Sequence, residues 1–177
     1  MADYSTDFSA SDFSVDEPSA TDFSAFYLAY GKSLAARLLP GMPFVFVEDL
    51  DDAQEVMKLI SGSGVLEGGY LFCWDNFDED LDTAGRDNFT LSVTGSFSVL
   101  KKSLGLSDRA QLKAQCRQLV LQAFTIMLAD AREGSLEQQS IRLDLRQIPL
   151  QRVGPLSASW YGYQLQFRWT VPADLPA

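Results

Sequence analysis

The residues best equipped for chemistry lie in one acidic run, Asp75–Asp82, which offers the carboxylates of Asp75, Asp78, Asp80 and Asp82 within a few residues of each other. Hard cations take several carboxylate oxygens at once, so these four are the candidate metal ligands. The run lacks the central glycine and the closing glutamate of an EF-hand loop. Paired-carboxylate nucleases, in turn, draw their acids from separate strands around one pocket. The simpler expectation is a solvated, self-repelling loop between two strands. The chain has no histidine, which removes the commonest general base and the commonest neutral metal ligand together. Cys73 and Cys116 have no Cys-x-x-Cys spacing and no histidine partner, and are expected as small buried hydrophobes. Ser61–Gly64 has neither the spacing of a nucleophile elbow nor a third glycine at dinucleotide spacing, so it is expected as a loop. No catalytic residue, no cofactor and no enzyme activity are expected.

The charge balance narrows the partners. A net charge of -10 and a pI near 4.3 argue against a nucleic-acid binder, which needs a Lys/Arg surface to neutralise phosphates. Such a charge suits a solvated surface, or a conduit through which DNA passes without sticking. The charge is also lopsided: residues 1–105 carry 18 acids and 6 bases, residues 106–177 carry 6 acids and 8 bases. An acidic front and a mildly basic back can attract between neighbouring copies, as a head-to-tail ring requires, the alternative being that both faces are simply solvated. No apolar run approaches the ~18 residues of a membrane span, and the acidic N-terminus is unlike a signal peptide. A soluble protein made in a cytoplasm is expected.

The elements that must position these residues follow from periodicity. The first 25 residues repeat a short unit, Thr6–Ala10, Ser11–Val15 and Thr21–Ala25, in which Phe8, Phe13 and Phe23 punctuate a Ser/Asp/Ala background. This composition cannot bury enough of itself to fold alone, so residues 1–24 are expected as a flexible acidic arm whose aromatics dock on a neighbouring subunit, the alternative being a disordered solubilising tail. From Thr21 a helix is predicted, stopped by Pro40-Gly41. Pro43–Val47 reads as a short apolar strand, and a second helix runs from Asp51 or Asp52 to about Ile60. Tyr70–Trp74 reads as a strand entering the acidic run. Phe89, Leu91, Val93, Phe97 and Val99 alternate with hydroxyl residues, predicting a long half-buried strand. The strongest helix follows, from a Ser107 cap through Leu112, Cys116, Leu119, Val120, Ala123, Phe124, Met127, Leu128 and Ala131 to Gly134, about 40 Å long. Ile141–Leu145 alternates again, and Pro149 and Pro155 mark an edge or a protruding loop before the last strand. In that strand Tyr161, Tyr163, Leu165, Phe167, Trp169 and Val171 share one face. The face is expected as core, and any part left exposed as a subunit interface containing Trp160, Tyr161 and Tyr163.

The resulting fold class is α+β: a mostly antiparallel β-sheet packed by a long α-helix, with one domain over residues 25–177 behind the arm. The stretch Ile141–Pro155 followed by Trp160–Trp169 resembles the small tail-terminator and tail-completion proteins of tailed bacteriophages, in element order over roughly residues 25–171. The resemblance implies a virion structural subunit at the tail or neck, made in the bacterial host cytoplasm. It further implies a homo-oligomeric ring, often sixfold, that joins the tail tube to the neck and head-connector proteins and lets DNA slide through an electronegative lumen. Sequence-specific nucleic-acid binding and membrane association are not expected. The alternative is an acidic inhibitor or DNA mimic that fills a basic cleft on a host enzyme.

Overall fold

A computed structural model describes residues 23–48, 53–65, 68–82, 90–103, 105, 108–156 and 159–172. The elements in chain order are α1 (Phe23–Leu38), β1 (Phe44–Val47), α2 (Ala53–Gly62), β2 (Tyr70–Asp75), β3 (Asp78–Asp82), β4 (Thr90–Lys102), α3 (Arg109–Glu133), α4 (Ser135–Gln138), β5 (Arg142–Asp144), β6 (Leu150–Leu156) and β7 (Trp160–Pro172). The two strands with the strictest alternation in the sequence, β4 and β7, are also the longest. They pair antiparallel along their whole lengths, from Thr90 opposite Pro172 to Lys102 opposite Trp160.

Each outer edge of this central ribbon carries two short strands end to end. β2 and β3 pair with successive halves of β4, and β6 and β5 pair with successive parts of β7. β1 then joins β2, completing a seven-stranded α+β sheet. The expectation of a mostly antiparallel sheet is corrected here: the sheet is mixed, because β1 runs parallel to β2. The cause lies in the connection, since a strand that returns to the sheet through a helix, as β1 does through α2, arrives pointing the same way. The acidic run is likewise not a loop. It contains β3, whose residues Asp78–Asp82 register against Thr94–Thr90.

A strand of period two must present two different faces, and here they separate cleanly. The odd-numbered side chains of β4 and β7 point to one face, with Val93, Phe97, Val99, Tyr161, Leu165, Phe167 and Trp169 buried. Phe72 and Trp74 of β2 join them. α1 covers this face with Tyr27, Tyr30, Leu34 and Ala35, and α3 covers it with Leu112, Cys116, Val120, Ala123 and Met127. The contact is dominated by aromatic rings: Tyr27 and Trp74 lie 4.9 Å apart between centroids, Trp74 and Phe167 5.3 Å, Phe167 and Trp169 4.9 Å. Such pairs add about 0.5–1.5 kcal/mol each beyond the area they bury. The opposite face holds a smaller apolar patch at one end, where Ile60 of α2 packs with Val45, Val47, Leu71, Cys73, Leu100 and Trp160.

A buried carboxylate fastens α1 to α3. The Tyr30 hydroxyl donates to Asp130 Oδ2 at 2.8 Å, and the Arg37 guanidinium grips Asp130 through Nη1 at 2.9 Å and Nη2 at 2.5 Å. Burial alone would raise this carboxyl, but the hydrogen bonds from Arg37 and Tyr30 outweigh it and hold Asp130 below its ordinary value. Asp130 sits on the inward stripe of α3, where the helical pattern calls for an apolar residue.

Close approach of α1 to the sheet depends on a residue without a side chain. A Cβ placed on Gly31 would stand 2.6 Å from Trp74 Cδ2, in a ring that is itself fully buried. Gly31→Ala therefore costs about 1–3 kcal/mol through overpacking, despite the better helix propensity of alanine; equilibrium urea unfolding reads this as a lower midpoint with unchanged slope. Asp130→Ala leaves the Tyr30 hydroxyl and the Arg37 guanidinium without their acceptor, and the same measurement should show a loss of about 2–3 kcal/mol.

Candidate functional site: the open face of the sheet

The face opposite α1 and α3 is the place where the fold leaves polar side chains together. It is built by the even-numbered residues of β4 and β7, whose hydroxyl and amide side chains were the wettable half of each alternating pattern. Ser96 stands opposite Gln166 and Ser98 opposite Gln164 across the central ribbon. On the other side of β4, Cys73 stands opposite Ser98, which brings Asp75 beside Ser96 at the end of β2.

These residues converge. The Ser96 hydroxyl donates to Asp75 Oδ2, and the Gln164 amide donates both to the same oxygen at 3.1 Å and to Ser96 Oγ at 2.8 Å. Asp75 is 3% exposed, and its Oδ1 takes no hydrogen bond among the described residues. Burial pushes its carboxyl up to about 7, with the Ser96 and Gln164 hydrogen bonds opposing. The backbone is tied from the helix-covered side as well, because the Tyr27 hydroxyl donates to the Asp75 backbone carbonyl at 2.7 Å.

The cluster lines a half-open cavity of about 300 Å³ together with Asn76, Asp78, Thr94, Gly95, Pro149, Gln151 and Gln166. A neighbouring cavity of about 390 Å³ shares Thr94, Pro149 and Gln166 and adds Asp144, Arg146, Gln147 and Arg168. Together they form a polar groove across the open face. Chemically it offers hydroxyls and amides, the Asp75 carboxyl raised by burial, the carboxylates of Asp78 and Asp144, and the guanidinium groups of Arg146 and Arg168.

The sequence-derived candidates are scattered across this frame. Asp75 is buried in β2, whereas Asp78 and Asp80 are exposed on β3, and Asp82 is the last residue of that strand. Asp78 shares the cavity with Asp75, but no group of three or more metal-ligating side chains forms among the described residues. Phe8 and Phe13 lie outside the described residues. Phe23 begins α1 and packs within the chain, edge-on to Phe77 at 5.2 Å. Trp160 and Tyr161 are buried, on opposite faces of β7, and Tyr163 is half-buried with its hydroxyl accepting from Arg152 Nε at 3.3 Å. Both cysteines are buried, and burial pushes each thiol up to about 12. Ser96, Gln164 and Asp130 were not singled out from the sequence. Asp130 could have been, as a charge on an apolar helical stripe; the meeting of Ser96 with Gln164 required the strand register.

No protein-family model matches the chain, and no curated protein compares with it significantly.

The Asp75 carboxyl has a testable pH signature. Its folded value lies above the ordinary 3.8, so the fold prefers the neutral form. Its contribution to stability is complete below pH 3.8 and is lost as the pH rises through about 7. The loss is on the order of 4 kcal/mol at most, at about 1.4 kcal/mol per tenfold change in proton affinity. Asp75→Asn keeps an oxygen for the two donors and cannot ionise, so urea melts across this range should show a decline in the wild type that the variant lacks. An identical decline in both would assign the pH dependence elsewhere.

Proposed function

We propose that this chain is a structural subunit of a phage or phage-like particle, forming a ring at the tail or neck. In this role it joins the tail tube to the head connector, as a tail terminator or tail-completion protein, and lets DNA pass. The single observation that carries the proposal is the one-sidedness of the sheet. Among the described residues, helices α1 and α3 back one face, while the other, beyond the reach of α2, carries no helix and is dressed with Asp78, Ser92, Thr94, Gln164, Gln166, Arg168 and Thr170. On this face Arg142 and Arg168 stand among hydroxyls, amides and the carboxylates Asp78 and Asp80, so no basic patch stands alone, and a net charge of -10 repels DNA. Turned inward in a ring, such a face is a passage wall, with the helices outside.

The element order supports the same role, because α1, α3 and the Gly-containing aromatic strand β7 occupy the positions on which the resemblance to tail-terminator proteins rests. A DNA mimic finds less support here. Its acids would have to stand in rows opposite a basic cleft, yet Arg142 and Arg168 point to the same face as Asp78 and Asp80.

Electron microscopy of the purified chain at high concentration tests the proposal. Closed rings with a central opening are expected, together with no retardation of duplex DNA in a gel at low salt. Open filaments, or tight DNA binding that falls steeply with salt, would overturn it.

A further inference from the structure

The two outer edges of the sheet at its β3–β5 end are unlike each other and complementary. β3 is an outer strand whose free side takes no strand among the described residues, and it exposes Asp78, Glu79 and Asp80. On the opposite edge, β5 and the residue pair after it expose Arg142 and Arg146, with Arg168 of β7 beside them. Asp144, the one acid on this edge strand, is already engaged by Arg146, whose guanidinium donates to it at 3.0 and 3.1 Å. That pairing holds the Asp144 carboxyl below its ordinary value and leaves the edge net basic through Arg142 and Arg168.

An apolar observation coincides with the charges. Leu145 is 56% exposed and Leu81 52%, the largest exposures among the exposed large hydrophobics of the described residues. Leu81 is the penultimate residue of the acidic edge, opposite Leu91, and Leu145 directly follows β5 on the basic edge. Among the described residues each edge therefore combines a side that pairs with no further strand, one bare leucine and a net charge of one sign. An exposed strand edge of this kind is a template for another strand.

Strand direction fixes how two copies can meet. β3 opposes β4, β4 opposes β7 and β7 opposes β5, so β3 and β5 of one chain point in opposite directions. Rotation about an axis along the strands preserves those directions. It brings β5 of one copy against β3 of the next as an antiparallel pair. Asp78 and Asp80 share a face with Thr94 and Ser92, and Arg142 shares the face of Thr170, so acids and base lie on the same, open side of the joined sheet. The leucines follow the other parity.

Resting on the ring reading above, we propose that copies of this chain associate head to tail through an antiparallel β3–β5 seam, with Leu81 against the Leu143–Leu145 region and the acidic edge of Asp78 and Asp80 facing the net-basic edge formed by Arg142 and the Arg146–Asp144 pair. The contact is heterologous, and a pure rotation that divides the full turn evenly closes it into a ring and leaves no sheet edge of this section exposed.

Charge reversal tests it, because both edges can be reversed in one chain. One variant carries Asp78→Lys, Glu79→Lys and Asp80→Lys; a second carries Arg142→Glu and Arg146→Glu; a third carries all five. Circular dichroism melts verify that each folds, and light scattering over a concentration series measures association. Each single-edge variant should associate about tenfold more weakly or worse than the wild type. The five-fold variant should recover, since its edges are again complementary, and an equimolar mixture of the two single-edge variants should assemble where neither does alone. A wild-type ring indifferent to both reversals, or single-edge losses that the combined variant does not restore, would overturn the seam while leaving the ring intact. A wild-type chain that stays monomeric at millimolar concentration would overturn both.

Discussion

The full-length antiparallel pairing of β4 with β7 is the constraint on which the other features depend. Because side chains alternate, fixing the register of these two strands fixes two faces at once. One face collects Val93, Phe97, Val99, Leu165, Phe167 and Trp169 for the helices to cover; the other collects Ser96, Gln164 and Gln166. A slip of β7 by one residue against β4 would turn β7 over, placing the rings of Phe167 and Trp169 in water and burying Gln166 and Arg168 under α1 and α3. The short strands add no separate logic. β2, β3, β5 and β6 each borrow register from one half of the ribbon.

Two buried acids show how differently the same side chain can be used. Asp130 receives a tyrosine hydroxyl and a two-pronged guanidinium, so it stays charged and clamps two helices. Asp75 receives a serine hydroxyl and a glutamine amide on one oxygen and no cation, so burial prevails and favours its neutral form. The difference reflects what each face of the sheet supplies: Arg37 reaches Asp130 from the partly exposed side of α1, while the cavity lining around Asp75 offers only hydroxyls, amides and a second carboxylate.

Elements with a strong periodic signature were legible in the sequence. The stripe Leu112, Cys116, Val120, Ala123 and Met127 is buried as the helical spacing requires, and the odd-numbered residues of β7 face the core. What escaped was what depends on partners distant in sequence. β3 is too acidic to read as a strand, and its five residues hold that conformation because β4 supplies a ladder. The parallel β1–β2 pair escaped as well, because a strand-helix-strand order alone does not say which strands are neighbours. The Asp75 cluster combines residues from three strands, each unremarkable where it stands, and only the cross-strand register brings them together.

The position of β7 in the chain carries a consequence for how the molecule is made. Synthesis delivers every other described element, including the whole of α3, before the strand that β4, β5 and β6 all require. Until Trp160–Pro172 emerges, β4 has an open edge and the rings of Phe72, Trp74 and Phe97 have only part of their cover. Helix α3 can form early because its contacts are local, whereas the ribbon must close a long loop and is expected to be the slow step. The nascent chain thus passes through a stage in which its future centre is its stickiest surface, and its yield in a crowded cell depends on how briefly that stage lasts.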